Sequence, residues 1–292
     1  MKDHRMDRII PRILALAILA TLGTIGMFGC SDDDNGTNPP PGLDPPENLA
    51  AVNGDGEIDL TWDASPSEDR DDFRRYNVYR DTTSLVGVDP SQLEPKRVGT
   101  VNSGQERHLN TGATNGTLYY YHVRAELDDG SLSDPSNEVT AAARLERSDI
   151  TITEFADPNE PSGYDLSAGL PVSLNASNPN RFEATDFYLG TMAEDDSSAA
   201  DLSLKSPDLL GGEYHHTNIK LLGIGDDKWA LTTTPDNGWT DQVAIVEDAV
   251  YAIKTSTGNW SKLQVTSLGG DPGSRTITFR YTYQPNASIH QF

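Results

Sequence analysis

The chain has 292 residues, with 22 Lys+Arg against 45 Asp+Glu, a formal net charge of −23 and a hydrophobic content of 36%. A charge this negative argues against nucleic acid or anionic lipid headgroups as electrostatic partners, because both are polyanions. With a single cysteine, Cys30, no intramolecular disulfide can form, so the domains must be held by apolar cores.

Lys2, Arg5, Arg8 and Arg12 precede an uncharged, mostly aliphatic run from Ile13 to Gly29, the composition of a secretory signal. The run ends at Gly29-Cys30 and resembles a bacterial lipoprotein signal, in which a peptidase cuts before the cysteine and its sulfur then carries diacylglycerol. Met27 and Phe28 stand where most such signals have Leu and a small residue. An ordinary cleaved signal and an uncleaved transmembrane helix are the alternatives, since spanning a bilayer takes roughly 17–25 apolar residues. Ser31-Asp32-Asp33-Asp34 is similar to a surface-export tetrad of some outer-membrane-bearing bacteria, and reads equally as a solvated acidic spacer. Losing residues 1–29 removes four basic and two acidic residues, which leaves 18 against 43 and a charge of −25. Residues 30–45 are filled with Asp, Asn, Gly and Pro and form an extended tether.

From Glu47 the period becomes two. Ile58, Leu60 and Trp62 alternate with polar neighbours, as do Tyr76 and Val78, and Tyr119, Tyr121, Val123 and Ala125. One apolar face per strand predicts strands half-buried in a sandwich. Pro45-Pro46-Glu47-Asn48-Leu49, Trp62, Tyr76-Asn77-Val78-Tyr79-Arg80, Gly116 to Ala125 and Ser133-Asp134-Pro135-Ser136-Asn137 together resemble a fibronectin type III domain over residues 46–144. The resemblance implies Trp62 in the inter-sheet core, Tyr119 as the corner tyrosine bonding back upstream, and a spacer or adhesive role. It carries Ala113 where the family usually has Leu.

Leu145-Glu146-Arg147-Ser148 reads as a polar joint, and Ile150 and Ile152 restart the strand period. Residues 157–180 read as irregular loops around Tyr164. Further strands are predicted at Asp186–Leu189, Asn218–Leu222, Trp229–Thr233 and Gln242–Val246, with no helix. Tyr251 to Thr255 and Trp260 to Val265 make a hairpin turning at Gly258-Asn259. Ile277, Phe279, Tyr281 and Tyr283 then alternate strictly with polar residues, which fixes register because a one-residue slip would expose all four. The hairpin and the Thr276–Tyr283 strand are similar, over about residues 250–284, to the C-terminal half of HmuY-like domains, all-β modules of bacterial lipoproteins. Residues 148–285 are therefore read as an HmuY-like all-β domain and 286–292 as a disordered tail. The fold class is all-β: an immunoglobulin-like sandwich followed by a second antiparallel sandwich.

Some members of that family take up haem, so haem is the cofactor this resemblance implies, in an apolar pocket with an axial His or Met. His215 and His216 are the candidate donors, with Met192 in a nearby loop. Adjacent residues on an extended chain point opposite ways, so at most one of the pair faces a given iron. Trp239 and Tyr164 are candidate aromatic contacts for a sugar, Trp239 being the one expected at the surface. No catalytic or metal site is expected: no His pair stands at i, i+4 on a helix and no G-x-S-x-G occurs. The expectation is a lipid-anchored, extracytoplasmic, non-enzymatic protein at the outer membrane or cell surface, with a small-molecule or glycan ligand; a purely structural envelope role is the alternative.

Overall fold

The computed structural model describes residues 42–174, 177–192 and 202–292. Cys30, the signal-like segment and most of the tether lie outside the described residues. Of the tether, the last residues are seated: Leu43 packs on the first core, and the Asp44 N–H donates to Ser67 Oγ at 3.0 Å.

Seven strands build the first lobe: β1 (Glu47–Asn53), β2 (Glu57–Asp63), β3 (Phe73–Asp81), β4 (Arg97–Val101), β5 (Arg107–Thr111), β6 (Leu118–Leu127) and β7 (Val139–Ala142). They form two antiparallel sheets, β1-β2-β5 and β4-β3-β6-β7. The alternation does what it predicts, since Ile58, Leu60 and Trp62 meet Tyr76, Val78, Tyr121, Val123 and Ala125 in one core. Three strands over four, with Trp62 buried between them, is a fibronectin type III-like sandwich. Tyr119 closes the corner, its hydroxyl accepting the Thr114 N–H at 3.3 Å.

The outer face of β6 departs from simple alternation, because His122, Arg124 and Glu126 are buried as well. The chain between β3 and β4 folds back over this face and seats Leu85 and Leu93 against Tyr79, whose ring meets that of His122 edge-on at 5.3 Å. Glu126 is satisfied there by Arg75 at 2.7 Å and Asn77 at 2.7 Å.

The second lobe contains β8 (Leu145–Thr153), β9 (Gly163–Asp165), β10 (Leu170–Val172), β11 (Phe187–Thr191), β12 (Leu202–Lys205), β13 (Asn218–Ile224), β14 (Gln242–Ala244), β15 (Ala249–Lys254), β16 (Trp260–Gly269) and β17 (Thr276–Gln284). Two five-stranded sheets result, β10-β9-β11-β12-β14 and β13-β15-β16-β17-β8. Ile277, Phe279, Tyr281 and Tyr283 all enter the core between them, with Tyr164, Phe187 and Tyr251.

Four local expectations are corrected. Residues 145–148 are the start of β8 and not a joint, because Leu145 pairs with Tyr283 and Glu146 with Thr282 across β17. Tyr164 lies in a strand, not a loop. Where a strand was expected from Trp229, the chain makes a single helical turn, α2 (Asp226–Trp229), entered through Gly225 at φ 96°; a second single turn, α1 (Arg181–Ala184), precedes β11. The tail from Asn286 is ordered: Phe292 is buried, its N–H donates to Thr232 O at 2.9 Å, and Lys262 stands over its ring.

Candidate functional site

The end of β9, the junction of α1 with β11, the loop before β13, the β15–β16 turn and the end of β17 converge on one polar cleft of about 280 Å3. Each element brings a particular group. β9 ends in Asp165, whose Oδ1 accepts the Ser167 and Ala168 N–H groups, both at 2.9 Å, and so shapes the turn at the cleft wall. Glu183 and Asp186 flank the step from α1 into β11. Ser256 and Thr257 come from the hairpin turn, and His215 from the loop opposite.

Tyr283 forms the floor. It is the last of the four core-facing residues of β17, so its ring belongs to the core while its tip reaches the rim. The residue is only 6% exposed, and its hydroxyl, at the rim, makes no hydrogen bond with the described residues. Burial raises its pKa, and the charges of Asp186 and Asp165 raise it further, which places all three groups within electrostatic reach. Burial likewise pushes the Asp186 carboxyl up to about 7; the Leu166 N–H, donating to Oδ2 at 2.8 Å, pulls it down, and the neighbouring Asp165 charge adds to the rise.

Of the four residues singled out from sequence, only His215 lines this cleft. His216 is exposed, its Nδ1 at 2.9 Å from Asp208 and its Nε2 at 3.4 Å from Asn218, and the Asp208 contact holds its pKa above the usual imidazole value. Tyr164 cannot meet a ligand: it is fully buried, with Phe279 edge-on at 5.2 Å and Tyr281 at 5.5 Å. Trp239 is half-buried and tilts against Trp260 at 5.7 Å; on the other side Trp260 meets His290 at 5.2 Å, so the three rings make an aromatic ledge. Trp229 is a sheet cover, its ring between Arg280 at 4.3 Å and Lys262 at 4.8 Å.

The residues present do not fit haem. The cleft beside His215 is walled by carboxylates, which repel a dianionic porphyrin, and both ring nitrogens of His216 are engaged. Met192 is 40% exposed. Among the described residues, no group of three His, Cys, Asp or Glu side chains is placed to hold a metal ion. What the cleft offers is hydrogen-bond acceptors, hydroxyls and negative charge. Asp186 and Tyr283 were missed because neither belongs to a motif; Tyr283 stood in plain view as the last member of an apolar series, which is a rim position.

No protein-family model matches the chain. Over 97 residues, 33% of its length, it is 36% identical to an amylopullulanase of Thermoanaerobacter thermohydrosulfuricus, and it spans about 6% of that relative. A solved Fn3-like protein from Clostridium thermocellum is 28% identical, with 34% of this chain and 90% of that one covered and a TM-score of 0.26. A β-1,2-glucanase from Parabacteroides distasonis is 22% identical, with 35% and 13% covered and a TM-score of 0.28. The fibronectin type III-like architecture of the first lobe stands on its own strand order.

Proposed function

We propose that the chain is a lipid-anchored, extracytoplasmic binding protein without catalytic activity, in which the fibronectin type III-like lobe is a spacer and the second lobe, an HmuY-like module, receives a small ligand. The observation that carries the binding role is the cleft with Tyr283 at its floor: its ring is fixed in the core while its hydroxyl, unbonded to the described residues, is left for a ligand in a concave, polar site. The anchor rests on the sequence around Cys30, and the acidic tether beyond it would lift both lobes from the membrane. Intact-mass measurement on membrane-extracted protein is expected to give a chain beginning at Cys30 with added lipid mass. A chain starting elsewhere, without lipid, would remove the anchor from the proposal.

A second reading, sugar binding, is favoured by Trp239, a half-buried ring backed by the buried Trp260, which has the exposed His290 on its other side, since an aromatic ring at a surface gives a sugar face a platform. The likeness to a stretch of an amylopullulanase supports it. Glycan-array binding that is lost in Trp239→Ala is the expected result, and binding that survives the change would move the sugar elsewhere.

A further inference from the structure

We propose that the Tyr283 cleft binds a small primary ammonium, a positively charged alkylamine group; this rests on the reading of the second lobe as a ligand-binding module. Three carboxylates, those of Asp165, Glu183 and Asp186, line the cleft, and neither Lys nor Arg does. Negative charge is therefore gathered there without a cationic side chain to offset it. Asp165 commits Oδ1 to its turn, and Asp186 commits Oδ2 to Leu166; the other oxygen of each accepts no hydrogen bond from the described residues.

Acidic residues alone would be an ordinary solvated surface. Tyr283 makes the difference, because it is more than nine-tenths buried, lines the same cleft, and its hydroxyl makes no hydrogen bond with the described residues. An ammonium has three donors and no acceptor, which complements two carboxylate oxygens and a phenolic oxygen. An anion would be repelled. A divalent metal ion needs donors gathered more tightly than any described group of carboxylates and imidazoles. A volume of about 280 Å3 admits the charged head and a few methylenes, whether of a free diamine or of a lysine side chain.

The test is isothermal titration of the full chain with 1,4-diaminobutane, N-acetyl-lysine amide, 1,4-butanediol and glucose. Binding of either amine, weakened at least tenfold in Asp165→Asn and in Tyr283→Phe while 1,4-butanediol stays silent, is the expected result; the stronger of the two amines identifies the source. Tyr283→Phe keeps the ring in the core, so the variant remains folded, and circular dichroism checks this. If 1,4-butanediol or glucose binds and the amines do not, with Tyr283→Phe abolishing the signal, the ammonium assignment is overturned while the cleft stays a ligand site. Amine binding unchanged in both variants overturns the placement. If no probe binds, the ammonium assignment and the binding role fall together.

Discussion

Burial shifts the pKa of two ionisable side chains, and they act on stability in opposite directions of pH. Asp186 titrates near 3.8 in the unfolded chain and at about 7 in the fold. Between those values the unfolded chain has released a proton that the native protein keeps, so stability falls as pH rises through this window. At roughly 1.4 kcal/mol per unit the loss is at most about 4 kcal/mol. Asp186→Asn keeps an acceptor for the Leu166 N–H and has no proton to lose. In a His122→Gln background, which removes an opposing titration, urea midpoints at pH 4.5 and 8 should therefore diverge with Asp186 present and stay level in Asp186→Asn. His122 behaves in the reverse sense, because burial and then the Arg124 charge take it from 6.5 to about 4. Its contribution is complete above pH 6.5 and is lost as pH falls towards 4, by at most about 3 kcal/mol. His122→Gln should flatten this acid limb of the stability curve.

At the level of elements, β8 and β17 are joined by more than their ladder. Glu154, just beyond β8, is fully buried and accepts the Arg275 backbone N–H at 2.9 Å, Arg275 Nε at 3.0 Å and Nη2 at 2.6 Å. Burial pushes the Glu154 carboxyl up, but the Arg275 hydrogen bonds and charge outweigh it, and the pKa ends below the usual carboxylate value. Glu154→Ala leaves a cation in a dry site without this carboxylate and should cost about 3–5 kcal/mol, read as a drop in the guanidinium midpoint. A loss under 1 kcal/mol would mean that the pair is hydrated. None of this could be read from Glu154 in sequence, whereas β17 could, because Ile277, Phe279, Tyr281 and Tyr283 are large, apolar and strictly spaced. β9 escaped notice for the converse reason: Gly163–Asp165 is too short to show any period, so Tyr164 read as a loop aromatic. Trp229-Ala230-Leu231 looked like a strand, but only the Trp229 ring meets the sheet, against Lys262 and Arg280 from outside, while Ala230 and Leu231 are exposed. The cleft was illegible as a unit, since its walls come from segments more than a hundred residues apart and local patterning holds no record of which ends will meet.

At the scale of the two lobes, the link is two residues, Ala143 and Arg144, and contacts on both sides of it oppose a hinge. Arg144 donates to the Phe292 carbonyl from one guanidinium nitrogen and holds Glu146 at 2.9 Å with another. Arg147 pairs with Asp55 at 2.5 Å, and Asn286 Nδ2 donates to the Gly116 carbonyl at 2.9 Å. Gly116 itself is a close approach: a Cβ there would stand 2.8 Å from Pro285 Cγ, and its φ of 79° already favours glycine. Residues 42–292 cluster as one compact unit, in keeping with these contacts. The full chain should therefore unfold in one calorimetric transition, with van't Hoff and calorimetric enthalpies in agreement. Removing Arg147 and Asn286 together, each as the Ala variant, takes away the exposed ion pair to Asp55 and a partly buried hydrogen bond to Gly116, about 1–2 kcal/mol of coupling in all. Neither side chain belongs to the inner core of its lobe, so both lobes keep their folds, and the single transition should resolve into two. A scan of the double variant that still shows one symmetrical peak would place the coupling in the backbone link itself, and the junction would then be rigid by chain connectivity alone.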